Sequence, residues 1–283
     1  MSTQPTTAQR EIVFGHSPDP DDAFMFYAIA HDLVDTGAFH IQHQLNDIET
    51  LNRQALRGEL EITAVSAHAY AHVADRYAIM GYGASVGDQY GPMVVAKPGV
   101  TSVQGRRIAI PGTWTTAALV MHLWAGPCDT VVVPFDQILE AVRDGQVDAG
   151  LIIHEGQLTY RTYGLECLVD LGAWWHETTS LPLPLGLDVV RRDLGDAACR
   201  DLSRILRDSI RYSLDHRDDA LTYALQYGRG LDRKLADKFV GMYVNHDTLE
   251  MGARVVAGLE ELYRRGVAAG VLPTPVKLDI IRV

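Results

Sequence analysis

The sequence predicts an α/β protein of two lobes with a cleft between them. Three observations carry that expectation. Short apolar runs alternate with segments of helical periodicity over the first part of the chain, the signature of βαβ units. The alternation breaks at Lys97-Pro98-Gly99 and restarts at Arg106, which reads as a first crossing between lobes. The proline-rich Leu181-Pro182-Leu183-Pro184-Leu185-Gly186 reads as the return crossing, and only helical patterns follow Gly195. Residues 1–96 and 185–283 are thus expected to form a larger, discontinuous α/β domain, and residues 97–184 a smaller inserted one. At 283 residues and 47% apolar content, the chain can fill cores of that size.

In the first lobe, Glu11 to Ser17 reads as a strand. Ser17-Pro18-Asp19-Pro20-Asp21-Asp22 then opens a helix from about Ala23 to Val34. Asp19 suits the cap, Pro20 the first turn, and Asp21 and Asp22 the positive end of the helix dipole. The functional alternative is that Ser17 and the free N–H groups face a ligand, with the acidic side chains turned away from any anion. Phe39 to Leu45 alternates like a strand, Ile48 to Arg57 is helical, and Leu60 to Ser66 is a strand again. Ser66 therefore stands at a strand-to-helix junction, with Ala67 to Tyr77 as the next helix. His68 and His72 have the i, i+4 spacing of a metal pair, but no third ligand accompanies them, and no metal site is expected. Ala78 to Gly91 reads as a hairpin or loop, and Pro92 to Ala96 as a strand.

In the second lobe, Arg106 to Pro111 is a strand and Gly112-Thr113-Trp114-Thr115-Thr116 a turn, followed by a helix over Ala117 to Trp124. Glycine followed by hydroxyl residues at a helix start can grip a carboxylate or phosphate, because N–H groups converge there with the dipole behind them, although no GxxxxGK(S/T) phosphate loop is present. The plainer alternative is an ordinary threonine cap. Thr130 to Pro134 is a strand, Phe135 to Gly145 a helix, and Val147 to His154 a strand bounded by glycine-containing turns. His154 ends that strand at its carboxyl end, where open α/β sheets bind ligands, and its proton exchanges near neutral pH. It is the best candidate for acid/base work, beside the alternative of a histidine bonded to a neighbouring carbonyl. Glu155, one residue along a strand, points to the opposite face and is not expected to orient it. Gln157 to Tyr163 is a short helix and Leu168 to Leu171 a strand. Trp174-Trp175 reads as core or interface packing, the alternative being a cover for an aromatic ligand.

The formal charge of −11 comes without a basic stripe and argues against nucleic acid or an anionic membrane surface as partner. The first ten residues are polar and lack the ~7–15-residue apolar segment of a secretory signal, and no run approaches the ~20 residues of a membrane span. A cytoplasmic protein, monomeric or homodimeric, is expected. Cys128, Cys167 and Cys199 are widely spaced and form no CxxC pair, so neither a disulfide nor a zinc site is expected. Ser17, Ser66, Thr115, Thr116 and His154 all fall at strand ends that converge on the cleft, a preferred place for a small ligand.

With those residues in place, the chain resembles the 1,4-dihydroxy-6-naphthoate synthases of the futalosine route to menaquinone. The resemblance runs through Ser17-Pro18 to Asp22 with Phe24 and Phe26-Tyr27-Ala28, then Asp47-Ile48-Glu49-Thr50-Leu51-Asn52 and Pro111-Gly112 with Thr115-Thr116-Ala117. It continues through LIIHEGQLTY at 151–160, Val169-Asp170-Leu171-Gly172-Ala173-Trp174-Trp175, LPLPLG at 181–186 and Tyr243-Val244-Asn245. It implies a type 2 periplasmic-binding-protein fold used as an enzyme. The implied reaction cleaves cyclic dehypoxanthine futalosine to 1,4-dihydroxy-6-naphthoate and a sugar-derived fragment, with no metal or redox cofactor. The family's base falls on His154 and its substrate contacts on Ala64, Val65, Ser66, Thr115, Thr116 and Ala117. Familiar members often read Ser-Pro-Cys-Pro-Asn-Asp in the first turn; here Asp19 and Asp21 replace the Cys and Asn, so contacts at those positions are not carried over. The implied mechanism has neutral His154 remove a proton beside the substrate ketone, after which the enolate collapses toward an aromatic product. Two rival functions are a chorismate dehydratase of the same pathway and fold, and a non-catalytic carboxylate-binding protein. The HEGQLTY run speaks against the first and the lack of a signal segment against the second.

Overall fold

Two sheets, each flanked by helices, face one another across a cleft in the computed structural model, which describes residues 9–272 and 275–283. Most of the amino-terminal segment read above for a secretory signal therefore lies outside the described residues. In chain order the first elements are β1 Arg10–His16, α1 Pro20–Ala30, β2 Phe39–Leu45, α2 Ile48–Arg57, β3 Ile62–Ser66, α3 Ala67–Tyr70, β4 Tyr77–Met80, β5 Ser85–Gly87 and β6 Met93–Ala96. The middle of the chain forms β7 Arg107–Ile110, α4 Thr116–Ala125, β8 Asp129–Val132, α5 Ile138–Arg143, β9 Ala149–Ile152, α6 Gly156–Thr159, β10 Glu166–Asp170 and α7 Leu171–Thr179. The last part forms β11 Leu183–Arg191, α8 Asp196–Asp215, α9 Arg217–Ala224, α10 Arg233–Tyr243, α11 His246–Leu249, α12 Ala253–Ala268 and β12 Ile280–Ile281.

The first sheet has the order β12-β4-β11-β3-β1-β2, with β5 paired to β11. Its centre is β3, which runs parallel to β1 and antiparallel to β11, in a register that sets Asp188 beside Ala64 and Gly186 beside Ser66. Side chains alternate along a strand, so these four positions share one face, and that face looks into the cleft. The second sheet has the order β10-β6-β9-β7-β8. There β9 lies between antiparallel β6 and parallel β7.

Several sequence-based expectations change. Met93–Ala96, expected at the end of the first lobe, pairs with β9 and β10 in the second sheet, so the chain crosses at 88–92 and not at Lys97. Lys97-Pro98-Gly99 is a turn leaving β6, followed by β7 in the same sheet; a turn signal does not say which sheet a strand joins. The helix expected over Ala67 to Tyr77 stops at Tyr70 and passes through turns into β4. The chain after Gly195 is not wholly helical, because β12 adds to β4 at the sheet edge. Trp174 and Trp175 lie on a helix, α7, which Asp170 caps by accepting from Gly172 N and Ala173 N.

Packing explains the helical arms. On α8, Leu202, Ile205, Leu206 and Ile210 recur at helical spacing and are all buried, each contributing roughly 1.5–3 kcal/mol on burial. Helix α1 fits between α8 and α9 with Phe24, Met25 and Phe26 in the core, which anchors the turn before it. Trp175 is fully buried and donates from Nε1 to the Pro182 carbonyl at 3.1 Å, tying α7 to the start of β11. Among the described residues no helix is long and apolar enough to cross a membrane.

Candidate active site

The turn between β1 and α1 brings its side chains to the cleft in a way that helix-capping rules do not anticipate. Asp19 occupies the cap position of α1 but makes no side-chain capping bond. Its carboxylate turns away from the helix and meets His154, with Oδ2 2.9 Å from Nδ1. The same Oδ2 accepts from Ser17 Oγ at 2.7 Å, and Oδ1 accepts from Arg229 Nη1 at 2.8 Å. Asp22 accepts from Ser17 N at 2.6 Å, so the turn folds back on itself and fixes Ser17.

His154 does not belong to the strand that precedes it. β9 ends at Ile152, and His154 has φ +60, in the left-handed region that non-glycine residues adopt at a cost. This kink re-aims the imidazole toward Asp19, with the Phe135 ring packed on it at 4.5 Å between centroids. It also breaks the alternation used to dismiss Glu155. Glu155 Oε1 accepts from Arg229 Nη1 at 2.9 Å, and Arg229 reaches Asp19 and the Pro18 carbonyl as well, lying over Phe135. Glu155 is therefore linked to His154 through Arg229 and Asp19, and Asp19 is the carboxylate that orients the ring.

Electrostatics follow from this arrangement. Burial alone depresses the His154 pKa, but the adjacent Asp19 carboxylate, with Glu155 and Asp21 behind it, raises it to about 9. Burial pushes Asp19 upward, yet His154, Arg229 and Ser17 together hold it well below the usual carboxylate range. The arrangement favours an imidazolium beside a carboxylate over the neutral imidazole expected from sequence. His154 Nε2 is buried and has no hydrogen-bond partner among the described residues, which leaves it for a ligand.

Eight residues singled out from sequence, namely Ser17, Ala64, Val65, Ser66, Thr115, Thr116, Ala117 and His154, line one cavity between the sheets, with a volume of about 120 Å³. The hydroxyls among them are largely committed to structure. Ser66 Oγ accepts from Asn52 Nδ2 at 3.1 Å, while Ser66 N donates to Asn52 Oδ1 at 2.8 Å. Thr115 Oγ1 caps α4 by accepting from Ala118 N, and Thr116 Oγ1 donates to the Leu185 carbonyl at 2.7 Å. The threonine cap expected as the plainer alternative is thus present, and the α4 start offers the cavity its first-turn N–H groups in place of hydroxyls.

The run from Asp47 to Asn52 explains why these walls hold their places. Asp47 caps α2 by accepting from Thr50 N at 3.0 Å. Glu49 accepts from Trp114 N at 3.0 Å, pinning the turn before α4. A Cβ on Gly112 would overlap the Glu49 carboxyl, so only glycine permits this approach. Asn52 then secures Ser66 on the other wall.

The cavity also holds groups that sequence reading missed. Asp21, Asp22 and Asp188 line it, so the first-turn acids are not turned away as an anion bound at Ser17 would require. Burial raises Asp22 to about 6 and carries Asp21 and Asp188 well above the usual carboxylate range. Gln157 and Tyr243 also face the cavity, joined by a bond from Tyr243 Oη to Gln157 Oε1 at 2.8 Å. Asp188, on the strand after the second crossing, gave no sequence signal beyond an acid in an otherwise apolar strand. The tryptophans line no part of this cavity. His68 Nδ1 lies 3.2 Å from the Thr115 carbonyl, and both His68 and His72 pack on Trp114.

Comparison with known proteins bears on this geometry. The sequence matches the menaquinone biosynthesis family over residues 12–268. A protein of Thermus thermophilus named 1,4-dihydroxy-6-naphthoate synthase is 44% identical over 265 residues, covering 92% of this chain and 96% of that one. A protein of Streptomyces coelicolor with the same name is 38% identical over 264 residues, 91% of this chain and 93% of that one. A crystal structure of an Archaeoglobus fulgidus protein superposes with a TM-score of 0.89 at 50% identity, covering 92% of this chain and 98% of that one. The alkanesulfonate-binding protein of Xanthomonas axonopodis pv. citri, bound to MOPS, superposes at 0.73 with 13% identity, covering 98% and all of the respective chains. That last likeness shows the periplasmic-binding-protein fold.

Proposed function

The chain belongs to the menaquinone biosynthesis family, and on that premise we propose that its cleft converts cyclic dehypoxanthine futalosine into 1,4-dihydroxy-6-naphthoate, with His154 as the base that starts the reaction. The observation that carries the assignment of the base is the pairing of His154 Nδ1 with Asp19 at 2.9 Å, which leaves Nε2 unpartnered at the cavity. A base must have its tautomer and ring plane set by a second group, and Asp19 does this.

The substrate carboxylate docks at the start of α4, where the N–H groups of Thr116 and Ala117 and the helix dipole favour negative charge. The start of α1 is unsuited to that task, because Asp19, Asp21 and Asp22 surround it. With the carboxylate held there, the carbon acid lies against Nε2. Proton removal beside the ketone gives an enolate; the carbon–carbon bond to the sugar-derived fragment then breaks, the fragment leaves with the bonding pair and takes a proton back from His154, and the ring system becomes aromatic. The protein supplies position, one base and a cavity that limits water.

His154 rests as an imidazolium, so the base form is the minority species at neutral pH: a gap of about two units leaves roughly one site in a hundred ready. The same observation favours a second reading, in which the imidazolium donates its Nε2 proton to the ketone oxygen. The pH profile separates the two, since a base gains activity up to about pH 9 and an acid loses it.

The experiment that tests the function is incubation of purified protein with cyclic dehypoxanthine futalosine and, separately, with chorismate, followed by mass analysis. Formation of 1,4-dihydroxy-6-naphthoate from the first alone is expected. Dehydration of chorismate, or no turnover of either, would overturn the assignment.

A further inference from the structure

Asp21, Asp22 and Asp188 are cavity acids to which the proposed reaction gives no part, and of the three only Asp188 has both carboxyl oxygens buried without a partner. It is 1% exposed, it lines the cavity, and neither carboxyl oxygen has a hydrogen-bond partner among the described residues. A buried carboxyl without a partner costs more than almost any other polar group, and it persists in a fold where a ligand completes it. The charge that bears on it, Asp22, is another carboxyl. Among the described residues no guanidinium or ammonium pairs with it as Arg229 pairs with Asp19.

The surroundings are cut to leave that carboxyl room. It sits over Gly83, whose φ is +85 and whose N–H donates to the Thr248 carbonyl at 2.8 Å; a Cβ there would overlap the Asp188 carboxyl. Along β11, Asp188 lies three residues from Leu185, whose carbonyl accepts from Thr116. Three strand residues span roughly 10 Å, so the cavity has an electropositive end at α4 and a carboxyl-lined end at Asp188.

We propose that Asp188 is a specificity-determining residue, whose carboxyl group exchanges hydrogen bonds with hydroxyl groups on the sugar-derived part of the substrate while the substrate's carboxylate occupies the α4 end. This rests on the substrate reading above and adds to it a direction of binding. A carboxyl held neutral by burial both donates and accepts, which matches a hydroxyl or a vicinal pair of them and does not match a second carboxylate. The naphthoate product keeps the carboxylate and has lost the sugar-derived hydroxyls, so the two ligands separate the two ends of the cavity.

The test compares wild-type protein with Asp188→Ala and Asp188→Asn, measuring kcat and KM for cyclic dehypoxanthine futalosine and the inhibition constant of 1,4-dihydroxy-6-naphthoate. The alanine variant is expected to raise KM roughly tenfold or more, the equivalent of one lost hydrogen-bonding group, while product inhibition stays within about twofold. Asparagine, which keeps a donor and an acceptor, is expected to recover most of the loss. An unchanged KM in the alanine variant, or a parallel rise in KM and in the product constant, would overturn the role of Asp188 while leaving the enzyme assignment intact. A wild-type protein inert toward this substrate would overturn both.

Discussion

Asp19 Oδ2 lies 2.9 Å from His154 Nδ1, joining the turn after β1 in one sheet to the turn after β9 in the other. The pair forms only when the two sheets face one another, so the histidine's charge and orientation depend on the cleft itself. Arg229 reinforces the junction by bonding Asp19 and Glu155 at once.

Replacing Asp19 with Asn removes the main influence that raises His154, leaving Glu155 and Asp21 to oppose the downward pull of burial. The rising limb of kcat/KM against pH is therefore expected to move from about 9 toward lower pH. The plateau should fall by roughly 10²–10⁴, because the ring loses its fixed tautomer. A limb that stays near pH 9 in the variant would show that Asp19 does not set it.

His154→Ala is expected to lower kcat by at least roughly 10²–10⁴ while leaving substrate affinity within about tenfold, since the base acts in the transition state and the carboxylate is held elsewhere. Calorimetric binding alongside single-turnover rates checks this. A near-normal rate would remove His154 from the mechanism.

Arg229→Gln withdraws the shared partner of two carboxylates, buried Asp19 at 2% and half-buried Glu155 at 13% side-chain exposure. A loss of roughly 1–3 kcal/mol in urea unfolding is expected, because each carboxylate loses a charge-assisted bond. An unfolding midpoint identical to wild type would mean that solvent replaces the arginine without cost.

Gly112→Ala places a Cβ against the Glu49 carboxyl that pins Trp114 N. The α4 start should shift, raising KM by about tenfold with a smaller change in kcat, as a position error in a binding group does. Glu49→Gln, which frees no space and keeps an acceptor, should have the smaller effect in the same assay.

Stability should fall with rising pH in a defined window. His154 has a folded pKa of about 9 against 6.5 ordinarily, so the stabilisation it shares with Asp19 is fully present below 6.5 and is lost as pH rises through 9. The difference is on the order of 3 kcal/mol. Thermal unfolding from pH 6.5 to 9 should show a steeper decline in wild type than in His154→Gln. Parallel curves would show that the pair adds nothing to stability.

The alternation of strands and helices, and the places of Ser17, Ser66, Thr115, Thr116 and His154 at the cavity, were legible from local pattern: apolar period, turn residues, and the rule that ligands meet strand ends; Ala64, Val65 and Ala117 came from the family resemblance. The family resemblance added a reaction that no spacing could supply. Tertiary structure alone decided that Asp19 leaves its cap for His154, since an aspartate at a helix start has two partners in prospect and only packing chooses between them. It also decided that Glu155 reaches the site through Arg229, because a left-handed φ at His154 cancels the alternation assumed for a strand. Met93–Ala96 joined the second sheet and Asp188 faced the cavity for the same kind of reason: strand pairing and register are long-range choices, made by which surfaces bury one another and not by the residues of the strand itself.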